Sequence, residues 1–429
     1  MKAKINPFRP NSPVNPGMFV GRVDELDRLE GSLLQTIADQ PEHFMITGER
    51  GIGKTSILMY LRYVAEGRIA IDDDKLKFLV IETDVNKSTT QLDLVKKIEL
   101  SLNRQLSKTE PGRNFLKDAW AFLKRVRIMD SGFNDPEAIT SEELLIEEFA
   151  YSLSSIVDRT CDDISKNIFK SKYDGVLILV DEADNSDTKL NIGSFFKLLL
   201  ERLQRQGCNR VVVGLAGLPE LREVLVCSHP SSLRIFEEIE LSRLSKNEVK
   251  GVIDICIEKA SKLNKIQISI NQDALDLLER LADGYPHFIQ QFGHSAFACN
   301  TDNVIALKDV KKGAFGKSGA LELIGNRYYR NDFYNRIGKD SYGQVLRIMA
   351  DKLDGWVTKK EIRSRYKGNE STLNNALKAL RDRHIIISKE GSKGVYRLQH
   401  KGFALWIRIY ADPNFLKDLI NEKSVSNLE

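Results

Sequence analysis

The sequence predicts an α/β fold, with a parallel sheet covered by helices, followed by an all-helical region and a small mixed module. Three observations predict it. Short apolar runs alternate with helical patterns through the first 241 residues, the pattern of a parallel sheet with crossover helices. Beyond Leu241 the strand-like runs stop. Between Ser341 and Ala411 the pattern becomes helix, short strand, helix, helix and a two-stranded hairpin, and the charge shifts strongly positive.

Each element has its own local reason. Met1–Pro16, rich in Pro and Asn, reads as extended. Asp24–Ile37 has helical spacing, with Leu26, Leu29, Leu33 and Leu34 on one side. His43–Thr47 is a short strand, followed by a glycine-rich turn and a helix beginning near Lys54. Lys77–Glu82 is a second strand and Gln91–Gln105 the helix after it. Thr109–Tyr173 is mostly helical, with Thr140 and Glu143 forming a capping box. Val176–Val180 is unbroken in its apolarity, which predicts a strand buried on both faces. Lys189–Gln206 is an amphipathic helix and Arg210–Leu215 a fourth strand. Right-handed crossovers would gather the C-terminal strand ends at one edge, where ligands bind in such sheets.

The helical region opens with a capping box, Ser245 and Glu248, ahead of the stripe Val249, Val252, Ile253, Cys256 and Ala260. Helices at Gln272–Ala282 and Pro286–Asn300 follow, and Thr301–Lys339 reads as connecting helix and linker. The expected division is a core at 1–241, a helical lid at 242–300, a linker at 301–340, the terminal module at 341–411 and a tail at 412–429.

Composition narrows the function classes. With 42% hydrophobic and 29% charged residues among 429, the chain reads as globular and soluble. No apolar run reaches the roughly 18–20 residues that cross a bilayer, and the N-terminus lacks the apolar core of a signal peptide. The five cysteines form no CxxC pair, which fits a reducing compartment, so a cytoplasmic protein without membrane contact is expected. The six histidines show no zinc spacing, and no structural metal is expected.

Gly48-Glu49-Arg50-Gly51-Ile52-Gly53-Lys54-Thr55 fits G-x-x-x-x-G-K-[ST] at every fixed position, between a strand and a helix. Phosphate oxygens are cradled by converging backbone N–H groups, so such a turn needs residues without Cβ where the backbone comes close. The following helix N-terminus, with Ser56 in its first turn, adds donors and a favourable dipole. Lys54 is expected to bridge the β- and γ-phosphates of ATP and Thr55 to ligate Mg²⁺. Asp181 and Glu182 end the strand Val176–Val180 in two acids, 127 residues after Lys54. Asp181 would hold the Mg²⁺ shell and Glu182 would orient or deprotonate the attacking water. Together these residues resemble the phosphate-binding set of P-loop ATPases, so the core is expected to bind and hydrolyse ATP.

Two further segments carry a family resemblance, which covers roughly Pro16–Asn300. PGMFVGR (Pro16–Arg22) resembles the motif that opens many AAA+ and STAND ATPases, which implies adenine contacts from Phe19 and Val20. Gly284-Tyr285-Pro286 resembles the G-x-P of STAND and related prokaryotic ATPases, which implies that Pro286 starts a lid helix over the nucleotide. The resemblance also implies a catalytic arginine between the final strand and the lid, reaching a γ-phosphate, often across a subunit interface. Arg234 is the expected one, with Arg243 and Arg222 nearby, so a protein partner or self-assembly is implied. Two departures count against fast hydrolysis. The fourth strand ends Gly214-Leu215-Ala216-Gly217-Leu218 without a polar residue, and His287 stands where relatives often carry arginine.

Ser341–Ala411 holds 15 Lys/Arg against 6 Asp/Glu, a local balance of +9 in a chain whose net charge is +4. Its order of elements is similar to winged-helix domains, especially those that follow AAA+ cores in archaeal and eukaryotic origin-recognition proteins. The candidate recognition helix is Ser371–Arg383, with Leu373, Leu377 and Leu380 inward. Asn374, Asn375, Lys378 and Arg381 face outward, and Lys389 and Lys393 lie on the wing. Such residues can read base edges and hold phosphates, so duplex DNA is the expected partner. The leading expectation is a slow ATP-driven switch that binds DNA. The alternative is a STAND-type signalling ATPase, in phage defence or transposition, whose module docks a protein. A scaffold that binds ATP without hydrolysing it is the third.

Overall fold

In the computed structural model the apolar runs of the first half pair as one five-stranded parallel sheet, ordered β2-β3-β4-β1-β5. The strands are β1 (His43–Gly48), β2 (Phe78–Asp84), β3 (Gly175–Asp181), β4 (Val211–Gly217) and β5 (Phe236–Leu241). The structure describes residues 4–13, 19–126, 141–161, 168–330, 333, 340–353, 355–383, 385–389 and 391–411. It divides the chain into two units, Pro13–Ser242 and Met1–Ser12 with Arg243–Glu429.

In the first unit β3 and β4 are buried almost end to end, as their unbroken apolarity requires. β4 lies between β1 and β3, so the turn after β1 and the acids after β3 flank its end. The helices are α1 (Val23–Ile37), α2 (Lys54–Ala65), α3 (Gln91–Leu106), α4 (Glu110–Ala119), α5 (Glu142–Cys161), α6 (Ile192–Arg205) and α7 (Leu221–Ser228). Phe149 of α5 stacks on Phe195 of α6 at 6.2 Å, within the apolar layer over one sheet face. In α1, Leu29 and Leu33 are buried, whereas Leu34 is 44% exposed and does not share their face. The expected cap Thr140 and the segment 16–18 lie outside the described residues.

The fifth strand corrects the expectation of four. Phe236-Glu-Glu-Ile-Glu-Leu241 carries three glutamates and reads as polar, yet on a sheet edge only Phe236, Ile239 and Leu241 need burial. The correction moves Arg234, which precedes the last strand instead of following it.

The second unit begins with α8 (Lys246–Asn264), capped by Ser245 and Glu248 in the expected capping box. Strand β6 (Ser269–Ile270), α9 (Gln272–Ala282), α10 (Pro286–Cys299), β7 (Val304–Ile305), α11 (Leu307–Phe315) and α12 (Ala320–Ile324) follow. Residues 301–340 were expected as a linker. Their described part instead packs into this unit: Gly313 of α11 lies against the backbone of Ser295 and Ala296 in α10. The N-terminal residues, expected with the core, belong here too. Asn264 pairs with both backbone groups of Ile5 at 2.7 and 2.9 Å, Gln290 accepts from Arg9 N–H at 2.8 Å, and Phe8 is 2% exposed.

Then come α13 (Asp340–Ala350), β8 (Val357–Thr358), α14 (Lys359–Arg365), α15 (Glu370–Asp382), β9 (Ile386–Ser388), β10 (Val395–Leu398) and α16 (Lys401–Trp406). The three strands form an antiparallel sheet ordered β8-β10-β9. Tyr329, Phe403 and Trp406 share one aromatic cluster, with Tyr329 and Phe403 stacked at 4.8 Å. No helix among the described residues is long and apolar enough to cross a membrane.

Candidate functional site

The turn after β1 is built by its glycines. Gly51 (φ 81°) and Gly53 (φ 109°) both adopt the left-handed region, so the chain reverses tightly between strand and helix. Gly53 offers no side-chain cap to α2, which leaves the first-turn amides, from Lys54 to Ser56, facing the turn. Ile52 is 1% exposed and anchors the turn, while Glu49 is half-buried and Arg50 exposed. Lys54 folds back and donates from Nζ to the carbonyls of Gly48 at 2.7 Å and Glu49 at 3.1 Å. Burial lowers the Lys54 pKa, and the carboxylates of Asp181 and then Asp184 act against that shift.

The acids arrive from β3. Thr55 Oγ1 donates to Asp181 Oδ2 at 3.0 Å, which joins residues 126 positions apart. A hydroxyl and a carboxylate oxygen side by side are hard donors of the kind Mg²⁺ takes. The described residues hold no group of three or more His, Cys, Asp or Glu side chains arranged for a metal. Glu182 follows in the left-handed region (φ 53°), and its carboxylate accepts from Asn185 Nδ2 at 3.3 Å. Asp184 accepts the backbone N–H of Leu218 at 3.0 Å.

On the motif before α1, Arg22 is 6% exposed although it is an arginine. Its guanidinium donates to the carbonyls of Ile52 at 3.1 Å and Ser242 at 2.8 Å and pairs with Glu25 at 3.3 Å. Phe19 lies 5.9 Å from the Tyr60 ring of α2, and both Phe19 and Val20 are half-buried.

The structure therefore brings together residues 48–56, Asp181 and Glu182. It does not bring Arg234 to them. Arg234 is exposed just before β5, and β5 starts beside His43, the first residue of β1, whereas the phosphate-loop turn lies at the other end of β1. Of its rivals, Arg222 pairs with Glu238 at 2.5 Å and Arg243 with Asp283 at 2.9 Å. Pro286 opens α10 in the second unit, and His287 behind it packs 5.2 Å from Tyr328. Sequence reading passed over Arg22 and Asp184. The local signals were the arginine closing FVGR and the second aspartate of DEAD (Asp181–Asp184).

In the terminal module Leu373, Ala376, Leu377 and Leu380 are buried, and Asn369 caps α15. Asn374, Asn375, Lys378 and Arg381 are exposed on that helix, and Lys389 and Lys393 on the β9–β10 hairpin. Glu361 pairs with Lys352, Glu370 at the start of α15 with Lys359 and Arg363, and Asp351 with Arg365. Among the described residues Lys378 and Lys393 have no acidic partner, while Arg381 lies 3.7 Å from Asp382 at the end of the same helix.

Comparison with known proteins agrees with this geometry. Residues 18–213 match the model of the AAA ATPase domain. An uncharacterised HTH-type transcriptional regulator of Methanocaldococcus jannaschii is 23% identical over 412 residues, covering 93% of this chain and 91% of that one. A Walker-type ATPase of Pyrococcus abyssi superposes with a TM-score of 0.57 at 16% identity, covering 94% of this chain and all of that one. The Aeropyrum pernix ORC2 protein, solved as ADPNP–ADP complexes, gives 0.55 at 15% identity, covering 97% and 98%. At these identities the two structures establish a shared fold.

Proposed function

From an AAA ATPase domain at residues 18–213, we propose that this chain is an ATP-binding, slowly hydrolysing switch whose nucleotide state governs DNA binding by a C-terminal winged helix. The observation that carries the nucleotide half is the 3.0 Å contact of Thr55 with Asp181, set beside a phosphate-loop turn. In this reading residues 48–56 wrap the phosphates, Lys54 bridges the outer two, and Phe19 and Val20 contact the adenine. Thr55 and Asp181 would hold Mg²⁺, which when bound neutralises developing phosphate charge. Glu182 takes a proton from the attacking water as the water oxygen bonds to the γ-phosphorus and the bond to ADP breaks. The product phosphate keeps the remaining proton, and the carboxylate returns its own to solvent.

Two features support the coupling. Arg22 ties Ile52 of the phosphate loop to Ser242, the last residue of the first unit. The next residue, Arg243, is fastened within the second unit to Asp283, Tyr285 and the carbonyl of Gln399, directly after β10. A shift of the loop on binding nucleotide thus has a short route to the terminal module. The exposed set on α15 and the hairpin supports duplex DNA as the partner, with asparagine and arginine for base edges and lysine for phosphates. The name of the Methanocaldococcus relative, an HTH-type regulator, points the same way. Pro286 belongs to the lid in this reading, and Arg234 serves only a neighbouring molecule.

The test is duplex affinity across a salt series, with and without ATP·Mg²⁺. Charge-neutralising DNA binding weakens with salt, with a slope near −0.9 per phosphate contact, and here it should change with nucleotide. If ATP binds but DNA does not under any condition, the terminal module docks a protein and the signalling alternative replaces this reading.

A further inference from the structure

We propose that Asp184 is the polar side chain that β4 itself lacks at the end of the central strand, and that it positions the attacking water for ATP hydrolysis. The inference rests on the ATPase reading above and deepens it. β4 ends at Gly217, between the strand of the phosphate loop and the strand of the acids. A polar residue at that end would lie beside the reacting phosphate, yet Gly214–Leu218 offers none.

The structure fills the place from another element. Asp184 Oδ1 accepts Leu218 N–H at 3.0 Å, and a Cβ built on Gly217 would lie 2.6 Å from that oxygen. Any larger residue at 217 would push the carboxylate away. The missing side chain of β4 and the presence of Asp184 are therefore one arrangement. The left-handed turn at Glu182 separates the two acids that follow Asp181. Glu182 accepts from Asn185, which also donates to the carbonyl of Val85, just past β2. Asp184 goes the other way, over β4, the neighbour of β1. Its charge also acts on Lys54, in the direction opposite to burial. One Asp184 oxygen is fixed by the backbone of Leu218, and an ionised carboxylate has further lone pairs to accept from a water. In the hydrolytic step Asp184 orients the water by accepting one of its hydrogens in a hydrogen bond. Glu182 remains the group that takes the proton.

Asp184→Asn keeps the acceptor for Leu218 and removes the charge, and Asp184→Ala removes both. Three quantities separate the roles: turnover, affinity for a fluorescent non-hydrolysable ATP analogue, and the melting temperature of the nucleotide-free protein. Asp184→Asn should lower turnover at least about tenfold, while analogue affinity stays within about twofold and the melting temperature is unchanged. Asp184→Ala should show the same kinetic loss and melt lower as well. An Asn variant with the parent's turnover overturns the inference, and if only the Ala variant suffers, Asp184 merely holds the loop. A parent that binds the analogue but releases no phosphate from ATP removes hydrolysis from the proposed function, and this inference with it.

Discussion

The Arg22 guanidinium donates to the Ser242 carbonyl at 2.8 Å, and the same nitrogen donates to Ile52 of the phosphate loop at 3.1 Å. A charged donor with little exposure, shared between two carbonyls, contributes more than a surface pair does. Arg22 also holds a left-handed backbone (φ 60°), a cost that its contacts offset. Arg22→Ala should lower stability by about 2–3 kcal/mol, since it strands two acceptors. It should also weaken any effect of nucleotide on DNA affinity. Thermal unfolding checks the first expectation and DNA titration with and without ATP the second. Unaltered coupling in a folded Arg22→Ala protein would rule out this route.

Lys54→Ala should abolish measurable nucleotide affinity, because no other cation is expected to bridge the phosphates. Calorimetric titration with ATP, with folding verified by circular dichroism, is the check. Parent-like affinity would refute the assignment of the turn.

Glu182→Gln keeps the shape and removes the base, so ATP·Mg²⁺ binding should persist while turnover drops about 10²-fold or more. Asp181→Asn should instead weaken the Mg²⁺ dependence of nucleotide binding. Phosphate release and binding isotherms across a Mg²⁺ series tell the two apart. Undiminished turnover in the Gln variant would mean that a different group activates the water.

Replacing Lys378, Arg381 and Lys393 together by Glu should spare the fold, since the buried stripe Leu373, Leu377 and Leu380 is untouched. Duplex affinity should fall by several kcal/mol at low salt and by less at high salt, as expected when phosphate contacts are lost. A triple variant that keeps the parent's salt slope would place the DNA contact on another surface.

Acid should destabilise the first unit through His43. Burial pushes this imidazole from about 6.5 down to about 4, and its Nδ1 accepts the N–H of Val213 at 3.2 Å only when unprotonated. Between those values the unfolded chain binds a proton that the folded one refuses. Stability present above about pH 6.5 is therefore lost as the pH falls toward 4, by up to about 3 kcal/mol. His43→Gln should flatten that part of a melting-temperature profile. An unchanged slope would assign the acid sensitivity to other groups.

What could be read from the sequence was local. The phosphate-loop turn, the buried β3 and β4, and the capping box at Ser245 each declare themselves within a few residues. β5 was missed because an edge strand needs only part of its side chains buried, and three glutamates hid it. Misplacing the last strand then misplaced Arg234. Asp184 escaped notice because its partner, Leu218, lies 34 residues away and contributes only a backbone N–H. Arg22 was legible as part of a motif, but its two carbonyl partners are a matter of packing, which no spacing encodes.

The grip of Asn264 on Ile5 has a consequence for how the chain is made. The two residues are 259 positions apart, so on the ribosome Ile5 emerges long before its partner exists. The sheet unit lies wholly between them and can finish folding first, while the opening segment waits undocked. Final closure of the second unit is thus a late, non-local event, slow for the reason that long loops are slow to close. A shortened chain lacking residues 4–9 should still make the sheet domain, yet leave Asn264, Gln290 and the pocket of Phe8 without the segment that completes them.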